Sequence, residues 1–388
     1  MSNRTVVITF IAVPVLAALA QAQTFTTLYN FTGGTDGGYP FAGVIQDTAG
    51  NLYGTTFYGG DLNCLAPEGC GVVYKLDTAG TETVLHSFSG GQNDGLEPLA
   101  PVVRDKDGNL YGTTSQGGLP GYGTVFKIDS AGNETVLYSF WGGSEGCWPA
   151  QGLILGKSGA VFGTTSYCGG GIFKVYRTGL FTVLHAFDYE DGTYPMFGHL
   201  TMDRSGNLYG VTVEGGGTGC SGSGCGVLYE LSKSGTFTVL HRFGGGTSDG
   251  CEPYGSVAQD NAGNLYGTTY QCGSNNNGTI WKVSKKGRET ILHNFAGGTT
   301  DGCDPFGGVT LDADGNLYGD TFACGANGYG VLYELSAKGT LTLLHSFDGS
   351  DGRDPYGDEV LRTGKGELFG TTHWGGTYDG GTVWSYVP

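Results

Sequence analysis

The chain has 388 residues, 76 of them glycine, and a formal charge of −17 from 36 acidic and 19 basic residues. The glycines follow no three-residue period, which excludes collagen, and the 23 tyrosines and 20 phenylalanines give an aromatic content that a disordered glycine-rich chain lacks. The excess of acid argues against a nucleic-acid partner, because phosphate backbones are bound by Lys and Arg.

The first 22 residues have the features of a secretory signal peptide. Arg4 supplies a positive charge, residues 6–20 are apolar, and Ala20-Gln21-Ala22 is a small-x-small cleavage site. The apolar run is short for a membrane span, and no second run of spanning length follows it. We therefore expect cleavage after Ala22, no membrane span in the mature chain, and secretion to the periplasm or the medium.

Residues 23–388 are predicted to form a single domain made of short β-strands. A strand-like run stands alone at 24–31, and seven units of four such runs follow from residue 40 onward. In the sixth unit the four runs are 305–312, 315–321, 330–336 and 340–347. A repeat of about 50 residues with four strands is typical of a β-propeller blade, and no segment has the sustained 3.6-residue period of a helix.

The strand at 24–31 predicts how the ring closes. The seven units supply seven first, second and third runs but only six fourth runs. We expect residues 24–31 to pair with 381–387 and complete the last blade, which removes open sheet edges. The predicted fold is therefore an all-β, seven-bladed propeller of four antiparallel strands per blade.

The motif GNLYGTT, or a close variant of it, opens the second strand of every unit. It is preceded by Asp in most units, and Asp, Gly and Asn are typical of the hairpin turn between the first and second strands. The glycine inside the strand is predicted to admit a neighbouring backbone, that of the adjacent blade. We interpret the motif as structural rather than catalytic.

These units, with GTVFKID and ETVLYSF completing the pattern, resemble the GloVer tandem-repeat proteins of bacteria. The resemblance extends over 24–388 and recurs in every unit. It implies a secreted or surface-attached repeat protein, and it supplies no catalytic residues.

Ten cysteines are predicted to form five disulfides in an exported protein. Three pairs share a spacing of 21 residues and join the loop before a first strand to the loop after a second strand, and these two loops lie at the same end of a blade. Metal binding by the cysteines is the alternative, but no histidine recurs beside them. The predicted pairs are Cys64–Cys70, Cys147–Cys168, Cys220–Cys225, Cys251–Cys272 and Cys303–Cys324.

The end of the propeller that bears the disulfides, called the disulfide face below, is predicted to carry the function. Its loops are long and variable, whereas the opposite end, the turn face, has short uniform turns such as DTAG and SKSG. Loops held by a rigid scaffold are common binding sites.

Every unit has an acid before a glycine in the loop that precedes its first strand. These acids either cap a turn or form a ring that binds Ca²⁺; no other cofactor is expected. They are Asp36, Asp94, Glu145, Asp191, Asp249, Asp301 and Asp351. Five histidines recur in the fourth strands, where Tyr29 and Tyr138 replace them in two units, and this exchange predicts a structural position at the outer rim. The histidines are His86, His185, His241, His293 and His345.

Residues that break the repeat are the candidates for catalysis. A histidine and carboxylates near the axis could act as general acid and base in the hydrolysis or elimination of a polysaccharide, provided that at least two of them converge. Drift of the repeat is the competing explanation. The candidates are His199, Asp320, Asp358, Glu359 and His373.

Aromatic and acidic residues around the strand-leading prolines are candidates for ligand binding. Aromatic rings beside carboxylates suit sugars, and packing between blades is the competing explanation for the aromatic residues. The candidates are Tyr39, Trp148, Tyr194, Glu214, Tyr254, Phe306, Tyr356 and Trp374.

The leading hypothesis is a non-catalytic module that binds a carbohydrate or cell-envelope polymer on the disulfide face. An extracellular hydrolase or lyase with its site at the propeller axis is the second hypothesis, and a structural repeat protein of surface assemblies is the third. The oligomeric state is left open.

Overall fold

A computed structural model describes residues 23–217, 219–357 and 359–388. The predicted signal peptide (1–22) and the candidate Asp358 lie outside these residues. The described chain forms seven four-stranded antiparallel sheets arranged as a seven-bladed β-propeller, as predicted. Helical structure in this part of the chain is limited to two 3₁₀ turns, Gly143–Glu145 and Cys220–Gly222.

In blades 1 to 6 the strands follow one another from the axis outward in chain order, and in blade 7 the N-terminal strand takes the outermost place. From first to fourth they are Ile45–Gln46, Leu52–Thr56, Val72–Leu76 and Glu82–Ser87 in blade 1; Val103–Arg104, Leu110–Thr114, Thr124–Ile128 and Glu134–Ser139 in blade 2; Ile154–Leu155, Val161–Thr165, Gly171–Val175 and Phe181–Ala186 in blade 3; Thr201–Met202, Leu208–Thr212, Val227–Leu231 and Phe237–Arg242 in blade 4; Ala258–Gln259, Leu265–Thr269, Thr279–Val283 and Glu289–Asn294 in blade 5; Thr310–Leu311, Leu317–Thr321, Val331–Leu335 and Leu341–Ser346 in blade 6; and Leu361–Arg362, Leu368–Thr372, Thr382–Val387 and Thr24–Asn30 in blade 7.

The predicted ring closure is confirmed. Thr24–Asn30 pairs antiparallel with Thr382–Val387, with Phe25 opposite Tyr386. The Phe25 ring also stacks on His345 of blade 6, with 3.7 Å between the ring centroids. The N-terminal strand therefore completes blade 7 and packs against the preceding blade.

The first strands are shorter than predicted: each has only two paired residues, although runs of about eight residues were expected. The residues before them direct their hydrogen bonds sideways to the next blade. Gly152 N donates to Gly198 O at 2.7 Å, and His199 N donates to Ser256 Oγ at 2.9 Å. Near the axis the blades converge, so the closest partner for the backbone lies in another blade.

The glycine in each second strand has a role other than the predicted one. It faces an aromatic ring on the third strand of its own blade, not the backbone of the adjacent blade. Gly267 is paired with Trp281, and a Cβ atom at Gly267 would lie 2.5 Å from the indole ring. The same pairing recurs in every blade, for example between Gly112 and Phe126.

The rest of the motif forms a turn and a link between blades. Asp47 accepts hydrogen bonds from the backbone N–H groups of Ala49 and Asn51 and from the Tyr53 hydroxyl. Burial acts to raise the pKa of Asp47, but these hydrogen bonds outweigh it and lower the pKa. In blades 1, 2, 5 and 7 the first threonine of GTT donates to a carbonyl of the next blade, as Thr55 does to Ala100 O at 3.0 Å.

A β-bulge recurs between the third and fourth strands of all seven blades. In blade 1, Val73 faces His86 and Tyr74 faces Val84, so that Leu85 has no partner. Bulges increase the local twist and redirect side chains. Here the bulge sets the orientation of the histidine at the rim. Within the described part of the chain, no helix is long and apolar enough to cross a bilayer.

Candidate functional site

All five predicted disulfides are formed. Two of the bridges lie within short two-stranded ladders. Cys251–Cys272 joins the strands Gly250–Cys251 and Gln271–Cys272, and Cys303–Cys324 joins the strands Gly302–Cys303 and Ala323–Cys324. These ladders extend blades 5 and 6 toward the disulfide face, which explains the constant spacing of 21 residues. The remaining bridges are Cys64–Cys70, Cys147–Cys168 and Cys220–Cys225.

Seven residues with positive φ form a ring on the disulfide face, one in each blade directly before a proline. Their φ values lie between 55° and 59°, a conformation that costs energy for residues other than glycine. In six of them the N–H group donates to a loop of the preceding blade, as Trp148 N does to Tyr122 O at 3.0 Å. The ring consists of Tyr39, Glu97, Trp148, Tyr194, Glu252, Asp304 and Asp354.

Sequence analysis did not identify the four acids of this ring. Burial raises the pKa of Glu97, and it likewise raises the pKa of Glu252, Asp304 and Asp354. The signal was present in the sequence, because each acid stands directly before the proline, where three other units have an aromatic residue. The ring therefore presents three aromatic side chains and four carboxyl groups on one face.

Beneath this ring, aromatic side chains meet across the propeller axis. Phe306 lies 4.9 Å from Tyr254 and 4.4 Å from Tyr356 between ring centroids. Phe41 of blade 1 and Phe197 of blade 4 approach to 6.4 Å. Tyr254, Phe306 and Tyr356, predicted as ligand-binding residues, thus pack against one another in this axial layer.

His373 belongs to the same layer. Its ring lies 4.1 Å from that of Phe41, and its Nδ1 is 3.4 Å from the carbonyl oxygen of Pro40. Burial lowers the pKa of His373 to about 4, so the imidazole is neutral at physiological pH.

The remaining aromatic candidates form two patches on the disulfide face. In the Trp148 patch, Trp148 contacts Tyr167 at 5.5 Å and Tyr167 contacts Tyr194 at 5.0 Å between centroids. Glu214 belongs to the same surface, because its backbone pairs with Thr193, the residue before Tyr194. Burial raises the pKa of Tyr167.

The second patch, the Trp374 patch, lies between blades 7 and 1. Tyr39 and Trp374 approach to 4.6 Å between centroids, and Tyr58 lies 5.9 Å from Tyr39. The guanidinium of Arg353 sits 5.4 Å from the Trp374 ring and pairs with Asp379 at 3.1 Å.

Two of the catalytic candidates meet on the axis. His199 Nε2 of blade 4 lies 3.4 Å from Glu359 Oε1 of blade 7. His199 Nδ1 donates to Leu200 O at 2.9 Å, because a carbonyl oxygen can only accept. In the neutral imidazole the Nε2 lone pair therefore points toward the carboxylate.

The His199–Glu359 pair lines a cleft of about 820 Å³ that opens on the turn face. The cleft runs between blades 4 and 5 to the turns at 203–207 and 260–263. Thr201, Ala258 and Thr310 line it where other blades have Ile45, Val103 or Ile154, so smaller side chains open the space. Solvent therefore reaches His199 and Glu359 from the turn face, whereas sequence analysis predicted a site on the disulfide face.

Asp320 is buried within blade 6, where it replaces the first threonine of GTT. Burial raises its pKa to about 7. The structure does not bring Asp320 into contact with His199 or Glu359.

At the outer rim, the recurring acids and histidines form pairs that sequence analysis treated as separate features. His185 Nε2 lies 2.7 Å from Asp191 and His345 Nε2 lies 2.6 Å from Asp351. Tyr29 and Tyr138 make the same contact with Asp36 and Glu145. In every unit the acid follows its histidine or tyrosine by six to eight residues, and this recurring spacing was the sequence signal for the pairs. The seven acids therefore lie one to a blade at the rim, each beside its own partner.

Fold and site define a disulfide-bridged β-propeller built from seven tandem repeats. The chain matches the Gleo_Verruco family, described as the Gloeobacter/Verrucomicrobia repeat, over residues 15–170, 65–261 and 218–388. It belongs to this family, as the GloVer resemblance predicted. No curated protein matches the sequence.

Solved structures resemble the fold at low sequence identity. The extracellular domain of BT4673 from B. thetaiotaomicron, named as a one-component system, has a TM-score of 0.56 and 11% identity; the match covers 93% of this chain and 40% of that one. A gluconolactonase from Xanthomonas campestris has a TM-score of 0.45 and 14% identity, over 97% of this chain and 93% of that chain. A luciferin-regenerating enzyme has a TM-score of 0.46 and 16% identity, over 76% and 91%.

Proposed function

We propose that the protein is a secreted binding module that recognises a carbohydrate or cell-envelope polymer on its disulfide face. One observation carries the proposal: among the residues that the structure describes, ten of the eleven exposed large apolar side chains lie on loops of this face, and only Leu180 lies on the turn face. The ten are Leu62, Leu65, Leu119, Tyr122, Trp141, Trp148, Tyr167, Tyr189, Tyr329 and Tyr378. Apolar exposure concentrated on one face is typical of an interaction surface.

The chemistry around these side chains favours a sugar. Aromatic rings stack on the apolar faces of pyranoses, and carboxylates accept hydrogen bonds from hydroxyl groups. The Trp148 patch offers both, because Glu214 pairs with Thr193, which adjoins Tyr194 of this patch. The net charge of −17 disfavours polyanions, so the expected ligand is a neutral or amine-bearing polysaccharide.

Export is the second part of the proposal. Five disulfides persist in oxidising compartments and are rare in the cytosol. Together with the signal-peptide features of residues 1–22, they support a mature chain that begins at residue 23 outside the cytoplasm.

A glycan-binding experiment tests the proposal. The mature chain is screened on a polysaccharide array, and the best ligand is titrated by calorimetry. We expect Trp148→Ala and Tyr167→Ala to weaken binding roughly tenfold or more each, since a stacked ring contributes on the order of 1.4 kcal/mol. Leu180→Ala, which alters an exposed apolar side chain on the turn face, is the matched control. Unchanged affinity in both aromatic variants would sink the proposal.

A contribution of Ca²⁺ to this binding remains a prediction. The acids of the ring, with the rim carboxylates, supply the oxygen ligands that Ca²⁺ prefers. The same titration after treatment with EDTA, and after Ca²⁺ is restored, measures the contribution. Sedimentation of the mature chain at several concentrations tests the alternative of a structural protein that assembles with itself, which predicts oligomers in the absence of any ligand.

The second candidate function is a polysaccharide hydrolase or lyase, favoured by the contact between His199 and Glu359 in the axial cleft. An imidazole with a directed lone pair beside a carboxylate can move a proton. Product analysis by mass spectrometry after incubation with the bound polysaccharide tests it. Fragments that form with the wild type but not with Glu359→Gln would support catalysis, whereas intact polymer would exclude it for that substrate.

A further inference from the structure

Each His–acid or Tyr–acid pair at the rim is followed by a residue at one fixed register position in the fourth strand of the next blade. In three contacts this residue is a phenylalanine: Phe25 stacks on His345, Phe181 on Tyr138 and Phe237 on His185. Leu341 occupies the same position in blade 6. In the other three blades the position is a glutamate: Glu82, Glu134 and Glu289. An apolar cover is therefore compatible with the interface, and the glutamates are departures from it.

The glutamate between blades 4 and 5 creates a cluster with unusual spacing. His241 Nε2 lies 3.5 Å from Asp249 Oδ2 and 3.5 Å from Glu289 Oε1. In the other histidine pairs the imidazole is 2.6 to 3.2 Å from its aspartate. The His241 separations are too long for good hydrogen bonds.

Two atoms of this cluster lack a partner. His241 Nε2 and Glu289 Oε1 are both buried and make no hydrogen bond. Two carboxylates and an imidazole lie together at the interface, and a buried polar atom without a partner is costly. A cation bound by both carboxylates and the imidazole nitrogen would satisfy these atoms.

A divalent transition metal satisfies all three groups. Four-coordinate Zn²⁺ has bonds of about 2.1 Å to nitrogen and oxygen, which places its ligand atoms ~3.4 Å apart. Two carboxylates and one neutral imidazole match its charge. The side chains are 15 to 17% exposed, which leaves a solvent path to a fourth position. A histidine ligand favours Zn²⁺ over Ca²⁺.

A chemically identical cluster lies between blades 1 and 2. The ligand atoms of His86, Asp94 and Glu134 are all within 4.8 Å of one another, and Glu134 Oε1 is buried without a partner. Glu82 faces Tyr29 and Asp36 instead, and therefore lacks a nitrogen ligand.

We propose that His241, Asp249 and Glu289 bind a Zn²⁺-type ion that joins blade 4 to blade 5, and that His86, Asp94 and Glu134 bind a second such ion between blades 1 and 2. Each ion crosslinks two neighbouring blades at the outer rim. The sites do not depend on the proposed function.

Metal stoichiometry tests the proposal. The mature protein is stripped with EDTA, dialysed, and titrated with ZnCl₂ by calorimetry, with bound metal counted by elemental mass spectrometry. We expect two Zn²⁺ per chain in the wild type, and a rise of several degrees in the melting temperature when Zn²⁺ is added. CaCl₂ at the same concentration is not expected to compete with Zn²⁺ for these two sites.

Variants assign the ions to the clusters. Glu289→Leu reproduces the apolar cover that Leu341 provides in blade 6, so it should fold; it is expected to bind one Zn²⁺, and Glu134→Leu with Glu289→Leu none. Asp191→Asn is the matched control, because its His185 is covered by Phe237, and it should still bind two. A wild type that binds no Zn²⁺, or a Glu289→Leu variant that binds as many ions as the wild type, would overturn the proposal.

Discussion

At the scale of single residues, the packing inside each blade depends on a glycine of the second strand that faces an aromatic ring of the third strand. A Cβ atom at Gly267 would lie 2.5 Å from the Trp281 ring, and the strand pairing on both sides prevents the backbone from moving away. We expect Gly267→Ala to lower the free energy of unfolding by about 1–3 kcal/mol, the usual cost of overpacking a core. Urea denaturation monitored by fluorescence measures this change in the free energy of unfolding.

Gly364→Ala serves as the control for this prediction. A Cβ atom there meets nothing within 4 Å, so the change should stay within about 0.5 kcal/mol of the wild type. If Gly267→Ala were equally mild, the aromatic ring would not be the reason for the glycine.

His373 makes the stability of the protein depend on pH. Its folded pKa is about 4 because burial disfavours the imidazolium, whereas an unfolded histidine has a pKa of about 6.5. The unfolded state therefore binds more protons between these values, so this contribution to stability is complete above about pH 6.5 and is lost as the pH falls toward 4. The full loss is roughly 3 kcal/mol.

The variant His373→Phe isolates this effect. Phe57 and Phe322 occupy the equivalent positions of blades 1 and 6, so the axial layer accommodates a phenyl ring. We expect the wild type to lose more stability than the variant between pH 7 and pH 4.5 in urea titrations. Parallel pH profiles for the two proteins would contradict the assignment.

At the scale of elements, the disulfides lock the loops of the disulfide face to the blades. Removing Cys251–Cys272, whose partners are 21 residues apart, should lower the free energy of unfolding by about 3 kcal/mol in the chain-entropy model. Removing Cys220–Cys225, with a separation of 5, should cost only about 2 kcal/mol. Denaturation of the two double-serine variants compares them, and a larger loss for the shorter loop would contradict the entropic explanation.

The fourth strand shows how an element can be predicted while its orientation is not. The run TETVLHSF correctly predicted a strand at Glu82–Ser87. The bulge that leaves Leu85 unpaired depends on the register with the third strand, and no residue type in the run indicates it. For this reason the contact between His86 and Asp94 could not be derived from alternation along the strand.

At the scale of the whole molecule, the ring is held closed by one strand. A chain that begins at residue 32 would expose the edge of Thr382–Val387 and leave His345 without Phe25. Exposed edges pair with other chains, so we expect dimers or aggregates and a lower melting temperature. Light scattering after size-exclusion chromatography measures the association state. A peptide of residues 23–31 added in trans should restore the monomer. A stable monomer without the strand would contradict the closure.

Local pattern was sufficient for the architecture. Runs of β-branched and aromatic residues between glycine-rich turns determined the seven units, the four strands of each and the missing fourth strand supplied by 24–31. The spacing of 21 residues likewise determined three disulfides, because hairpin geometry places the two loops together. These features depend on contacts within one blade. The contacting residues are close in the sequence, and the same pattern recurs in all seven units.

Only the tertiary structure decided which residues meet between blades. His199 and Glu359 are 160 residues apart in the chain, and they approach because both lie near the propeller axis at the same height along it. Phe41 reaches Phe197 across the axis for the same reason, and Glu289 reaches His241 at the outer rim because blades 4 and 5 pack side by side. Such contacts depend on the radius of the ring and on the tilt of its blades. These are set by the packing of all seven sheets together, and no single repeat encodes them.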